Sequence, residues 1–142
     1  MEDFWRKAGD GRGEEASAAP LVSIVDDDAS VRRSTRRLLR CSNLRAEAFA
    51  SAEEFLQSGR LADTACLLLD VDMPGMSGLE LQRRLPAIDR PVPIVFLSGR
   101  ASEEEERRAR QAGAAGFLRK PVNKETLLRA IHGAIEEPNH KP

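Results

Sequence analysis

The chain has 142 residues, 22 Lys and Arg against 23 Asp and Glu, and a formal net charge of −1. That length fits one domain of ordinary size, and 41% hydrophobic with 32% charged residues supplies one core under a solvated surface. The balanced charge excludes a global field for nucleic acid, and no apolar run approaches the roughly 18–20 residues of a membrane span or forms a signal-peptide core.

Residues 1–20 carry Trp5 and a Gly, Ala, Ser and Glu stretch without apolar periodicity, so a flexible N-terminal extension is expected there. Phe4-Trp5 reads either as a solvated pair or as an anchor docked on the domain or on a second copy. From Leu21 short apolar runs alternate with helical patterns, the signature of a parallel sheet covered by helices. The first run is Leu21 to Val25, followed by a helix over Ala29 to Cys41 with Val31, Thr35 and Leu38 on one face. Ala46 to Phe49 is the second run. Ser51 and Glu54 form a capping-box pattern opening the second helix, and Gly59 closes it. The third run, Cys66 to Asp70, precedes another Ser-x-x-Glu at Ser77 to Glu80, and that helix is expected to stop before Pro86. Pro93 to Ser98 is the fourth run. Ser102 then caps a helix over Glu103 to Gln111, with Gly113 beyond its end. Gly116 to Leu118 is the fifth run, and Asn123 caps a last helix carrying Leu127, Leu128, Ile131 and Ile135 before Pro138. The expected organisation is therefore an extension (1–20), one (βα)5 domain (21–137) and a tail (138–142), with the strand C-terminal ends along one edge.

The polar residues fall at those ends. Asp26, Asp27 and Asp28 follow the first strand, Asp70 ends the third with Asp72 two residues on, Ser98 ends the fourth, and Lys120-Pro121 follows the fifth. Clustered carboxylates repel unless a cation joins them, and an all-oxygen set suits Mg²⁺ better than Zn²⁺. A metal, an ammonium and a hydroxyl are the groups that neutralise the equatorial oxygens of a phosphoryl group in flight. The nucleophile is then a carboxylate, ionised without a general base. Asp70 is the candidate, because its strand is the most apolar and so the most central. Taken alone, the Asp26 to Asp28 run reads equally as a helix cap, a role assigned mainly to Asp28.

IVDDD (Ile24 to Asp28), LLLDVDMPGMSGLEL (Leu67 to Leu81), IVFLSG (Ile94 to Gly99) and GFLRKP (Gly116 to Pro121), in this order, resemble the receiver domain of two-component response regulators over Leu21 to Glu136. The resemblance implies a flavodoxin-like, doubly wound parallel five-stranded sheet in the order 2-1-3-4-5. It implies Asp70 as the phosphoryl acceptor, and Asp26 and Asp27 as the acidic pair, with Asp27 a direct Mg²⁺ ligand and Asp26 acting through a bound water. The carbonyl of Asp72 is implied as a further ligand, Ser98 as the switch hydroxyl, Lys120 as the phosphoryl-pairing lysine before a cis peptide, and Phe117 as the switch aromatic. Met73-Pro74-Gly75 and Gly78 match the turn after the acceptor. Movement of Ser98 on phosphorylation would let Phe117 turn inward, and Asp72 and Arg100 would flank the phosphoryl group and set its lifetime, hindering water if they pair across it.

The implied partners are a histidine kinase or histidine phosphotransfer protein, and a downstream protein or a second copy through the fourth helix, fifth strand and fifth helix. Direct binding of nucleic acid or membrane is not implied. Arg32, Arg33, Arg36, Arg37 and Arg40 read either as a solvated face or as a docking surface for the phosphodonor. The run Glu103 to Glu106 before Arg107, Arg108 and Arg110 reads as a self-stabilised exposed helix. It also makes the output face unusually charged.

Two alternatives compete. Asp70-x-Asp72 also resembles the haloacid-dehalogenase phosphohydrolases, with Asp70 as nucleophile and Asp72 as general acid, but those place further acids on a strand after the lysine. A pseudo-receiver that takes no phosphate is the other, opposed by the intact set Asp27, Asp70, Ser98 and Lys120. SAEEFL and LSG are most similar to receivers of the FixJ type, so the chain is expected to be either a stand-alone receiver or the first part of a longer regulator. Cys41 and Cys66, at no metal-type spacing, fit free thiols in a reducing cytoplasm.

Overall fold

A computed structural model of the chain describes residues 19–85 and 91–136. The expected extension with Trp5 and the tail after Pro138 lie outside these. Among the described residues eleven elements follow one another: β1 (Leu21–Val25), α1 (Ala29–Cys41), β2 (Arg45–Phe49), α2 (Ala52–Ser58), a 3₁₀ turn (Leu61–Asp63), β3 (Cys66–Asp70), α3 (Gly78–Arg84), β4 (Ile94–Ser98), α4 (Glu103–Gln111), β5 (Gly116–Arg119) and α5 (Lys124–Glu136). The strands form one parallel sheet in the order β2-β1-β3-β4-β5. This is the flavodoxin-like order.

Side-chain alternation splits the core between the two faces of the sheet. Leu67 and Leu69 join Val25, Phe49, Phe55, Leu81, Phe96 and Phe117 on one face. Leu68 joins Val22, Ile24, Leu39, Val95, Leu97, Leu127 and Ile131 on the other. Each such side chain contributes about 1.5–3 kcal/mol when fully buried, and β1, β3 and β4 are buried along their whole length. β1 leads directly into Asp26, and β3 and β4 end in Asp70 and Ser98.

Local chemistry sets the helix ends. Asp28 accepts from the Ser30 and Val31 N–H groups, and Ser77 from Glu80, each satisfying orphan donors of the first turn. Ser102 and Glu105 form a complete capping box. At α2 the box is offset: Ser51 Oγ accepts from Glu54 N, but the Glu54 carboxylate accepts from Ala50 N at 2.7 Å, one residue before the cap. Gly59 ends α2 in the left-handed conformation (φ +76°).

Three boundaries differ from the sequence reading. β2 begins at Arg45, whose N–H reaches the Pro20 carbonyl at 2.9 Å. β4 begins at Ile94, because Pro93 has no N–H for the ladder, although its carbonyl accepts from Leu67 at 2.9 Å. β5 runs on to Arg119. The 3₁₀ turn, too short to show a period, leads into β3. There the Thr64 hydroxyl donates to the Arg60 carbonyl, so the buried Ser23 hydroxyl donates to Thr64 at 2.7 Å.

Candidate phosphoryl-acceptor site

The five strand ends bring the polar residues together. Asp26 is buried, with its N–H on the Phe49 carbonyl (3.1 Å) and its Oδ1 accepting from Asp28 N (2.9 Å). Asp27, next along, is exposed. Asp26, Asp27 and Asp70 each offer a carboxylate oxygen within 4.8 Å of the others. Asp70 is 2% exposed, and its Oδ1 accepts from Asp72 N at 3.1 Å. From β5, Lys120 places Nζ 3.5 Å from Asp70 Oδ1 and 3.5 Å from Asp26 Oδ2. Its N–H bonds the Ser98 carbonyl at 2.8 Å, and the Lys120–Pro121 peptide is cis.

Burial, and then the neighbouring Asp26 charge, push the Asp70 carboxyl up to about 6 despite its bonds to Asp72 N–H and Lys120. Burial lowers the Lys120 ammonium, but Asp70 and Asp26 overcome this and hold it above the usual lysine value. One ammonium does not neutralise three clustered carboxylates. The donor set is hard oxygen and opens outward at Asp27, which fits a small divalent cation such as Mg²⁺ and not a Cys- or His-seeking metal.

Ser98 is fully buried at the end of β4. Its Oγ accepts from Ala101 N (2.8 Å) and Arg100 N (3.1 Å) and donates to Asp72 Oδ2 (3.0 Å). The same Asp72 oxygen accepts from Gly99 N at 3.1 Å. Among the described residues Asp72 makes no ion pair with Arg100. Its carboxylate is committed to the end of β4 instead.

Phe117 is 5% exposed, with its ring 5.7 Å from that of Phe96. The ring is therefore part of the core. Lacking a hydroxyl, it has no polar tip to hold at the surface, and the Arg119 guanidinium covers it.

Four contacts at the site escaped the sequence reading, although Gly78 itself was named in the matched turn. Arg32 leaves the basic stripe and donates to the Asp26 carbonyl at 2.8 Å, bracing the acidic loop. Glu53 accepts from Met76 N at 3.4 Å, tying α2 to the turn after Asp70. Gly78 lets α3 approach closely, since a Cβ there would stand 2.5 Å from the Asp70 carbonyl oxygen. Arg119 joins Phe117 to Glu106 of α4. Only Gly78 carried a signal, as part of the matched turn. The remaining stripe residues Arg33, Arg36, Arg37 and Arg40 are exposed, and Arg40 reaches the Ala46 carbonyl at 3.4 Å. On α4, Glu104 pairs with Arg107 and Arg108, and Glu106 with Arg110, as the spacing implied.

An acidic cluster and a lysine at the carboxyl edge of a five-stranded parallel sheet are the arrangement of a signalling receiver domain. The response regulator receiver domain matches residues 22–132, and the chain belongs to that family. It is similar to nodulation protein W of Bradyrhizobium diazoefficiens, 42% identical over 132 residues, covering 93% of this chain and 57% of that protein. Among solved structures it is similar to the response regulator StyR (TM-score 0.77, 43% identity, covering 84% of this chain and 61% of that one). It is also similar to FixJ-N (TM-score 0.73, 33% identity, 82% of this chain and 94% of that one). The chain spans between half and three fifths of the curated relatives NodW and TodT (57% and 52%).

No helix among the described residues is long and apolar enough to cross a membrane.

Proposed function

We propose that this receiver accepts a phosphoryl group on Asp70 from the phosphohistidine of a histidine kinase or histidine phosphotransfer protein. The observation that carries the reading is Lys120 Nζ, 3.5 Å from both Asp70 Oδ1 and Asp26 Oδ2 inside the acidic cluster. Oδ1 of Asp70 is engaged by Asp72 N–H and Lys120, leaving Oδ2 to attack. The P–O bond to Asp70 forms as the P–N bond breaks, and the imidazole leaves with the electron pair. Lys120 then neutralises one phosphoryl oxygen and the Ser98 hydroxyl donates to another.

Mg²⁺ would be held by Asp27 directly, Asp26 through water, Asp70 and the Asp72 carbonyl, and when bound it supplies positive charge opposite the transferred oxygens. The acylphosphate at Asp70 acts through contacts that differ between two states of the domain. Ser98, the 99–101 segment, Arg119 and Phe117 form the contiguous route from the acceptor to the face of α4, β5 and α5, where a downstream protein or a second copy would bind. The cytoplasm is the setting in which such a donor meets this chain.

Incubation with Mg²⁺ and a small phosphodonor, followed by intact-mass measurement, tests the reading. Wild type should gain one phosphoryl group and Asp70→Ala none. An unlabelled wild type, or undiminished labelling of Asp70→Ala, overturns it.

A further inference from the structure

Asp72 stands apart from the other acids at the strand ends. It is exposed, it lies outside the three-carboxylate cluster, and its Oδ2 is held by two donors from the end of β4: Ser98 Oγ at 3.0 Å and Gly99 N at 3.1 Å. The direction of the Ser98 proton follows from its other bonds. Arg100 N and Ala101 N both donate to Ser98 Oγ, so the hydroxyl hydrogen is left for Asp72. Ser98 is fully buried and does not exchange this acceptor freely for water. Hydrogen bonds to an ionised acceptor are among the stronger ones. The same residue also grips Asp70 through its backbone, Asp72 N donating to Asp70 Oδ1 at 3.1 Å.

From this geometry we infer that the Asp72 carboxylate is a built-in competitor of the phosphoryl group. It occupies, as an internal anion, the Ser98 hydroxyl and Gly99 N–H that an oxygen of a phosphoryl group on Asp70 would take. Phosphorylation then requires Asp72 to release both donors, and the released carboxylate swings to solvent. The segment Ser98 to Ala101 changes anion partner in the process. Because Ala101 also accepts from Arg119, this exchange is felt directly by the residue that covers Phe117. The inference rests on the acceptor role proposed for Asp70 and assigns to Asp72 a control of that same site.

A double-mutant cycle separates the competition from mere loss of a nearby negative charge. Binding of beryllofluoride with Mg²⁺, a phosphoryl mimic, is measured for wild type, Asp72→Ala, Ser98→Ala and the double variant. Removing Asp72 should tighten the mimic about tenfold when Ser98 is present, the scale of one charge-assisted hydrogen bond. In the Ser98→Ala background the gain should be distinctly smaller, since only Gly99 N–H and the electrostatic part remain. Asp72→Asn, which keeps an acceptor, should fall between wild type and Asp72→Ala. A second readout needs no metal or mimic: the Gly99 amide proton of the metal-free protein should shift upfield in Asp72→Ala. An unmoved Gly99 amide, or equal tightening with and without the Ser98 hydroxyl in a protein whose wild type does take phosphate, overturns the competition alone. A wild type that takes no phosphate while the Gly99 amide still responds overturns the acceptor reading, and the competition with it.

Discussion

The Arg119 guanidinium lies over the Phe117 ring, 5.4 Å from its centroid, and so closes the core at the edge strand. Its nitrogens also donate to the Ala101 carbonyl and pair with Glu106 of α4 at 2.8 Å. The hydrogen bond from Arg119, ahead of that from Arg110, is the first cause holding the Glu106 carboxyl below its usual range. One side chain thus ties together the loop after Ser98, the aromatic ring and the fourth helix.

Replacing Arg119 with Ala should therefore cost about 1 kcal/mol, the scale of a cation–π contact plus a half-exposed ion pair. Urea denaturation should show a lower midpoint at unchanged slope. Arg119→Lys should recover only part of the loss, because an ammonium lacks the flat fork that reaches the carbonyl, the carboxylate and the ring together. A variant as stable as wild type would show that the ring is held by Phe96 packing alone.

The raised Asp70 carboxyl couples stability to pH and metal. It is pushed up from 3.8 to about 6, with burial and then Asp26 as the causes. A folded-state value above the unfolded one contributes stability that is fully present below about pH 4 and lost as pH rises through about 6. The amount is at most about 3 kcal/mol. Lys120, held above its usual value, keeps its charge throughout that window. Metal-free protein should accordingly lose stability between about pH 4 and pH 7, and Asp70→Asn should flatten that slope. Added Mg²⁺ favours the ionised carboxylate, so it should raise the melting temperature more at about pH 7.5 than at about pH 5. Thermal melts of both proteins, with Mg²⁺ and with a chelator, check this, and a Mg²⁺ response independent of pH would contradict it.

The strands and their chemistry were legible because fully buried parallel strands read as continuous apolar runs. Cys66 to Asp70 is such a run, and its last residue had to lie at the sheet edge. The caps at Ser51, Ser77 and Ser102 were legible through their spacing to Glu54, Glu80 and Glu105. Where a long side chain turns is a different matter. Asp72 reaching β4, Arg32 turning from its stripe to the Asp26 carbonyl, and Arg119 folding over Phe117 all depend on loops and strand neighbours that no local period encodes. Glu54 shows the limit at small scale: the right residue in the right place, bonded to Ala50 N instead of the cap's own N–H.

The two glycines Gly78 and Gly133 should respond to Ala with opposite signs. At Gly78, the first residue of α3, an added Cβ would stand 2.5 Å from the Asp70 carbonyl oxygen and 3.1 Å from the Leu69 Cγ. The first neighbour is backbone and has no rotamer to swing away, so α3 or the end of β3 must move. Overpacking of this kind costs about 1–3 kcal/mol, more than the helix propensity gained. At Gly133, exposed on α5, the same Cβ would meet nothing within 4 Å. There Ala removes the backbone freedom of Gly from the unfolded chain and should stabilise by up to about 1 kcal/mol. Denaturation midpoints give both signs. Phosphorylation separates them further, because moving α3 displaces the Asp70 backbone. Gly78→Ala should label more slowly than wild type, while Gly133→Ala should label at the wild-type rate. Equal labelling of Gly78→Ala would mean that the turn gives way without disturbing Asp70.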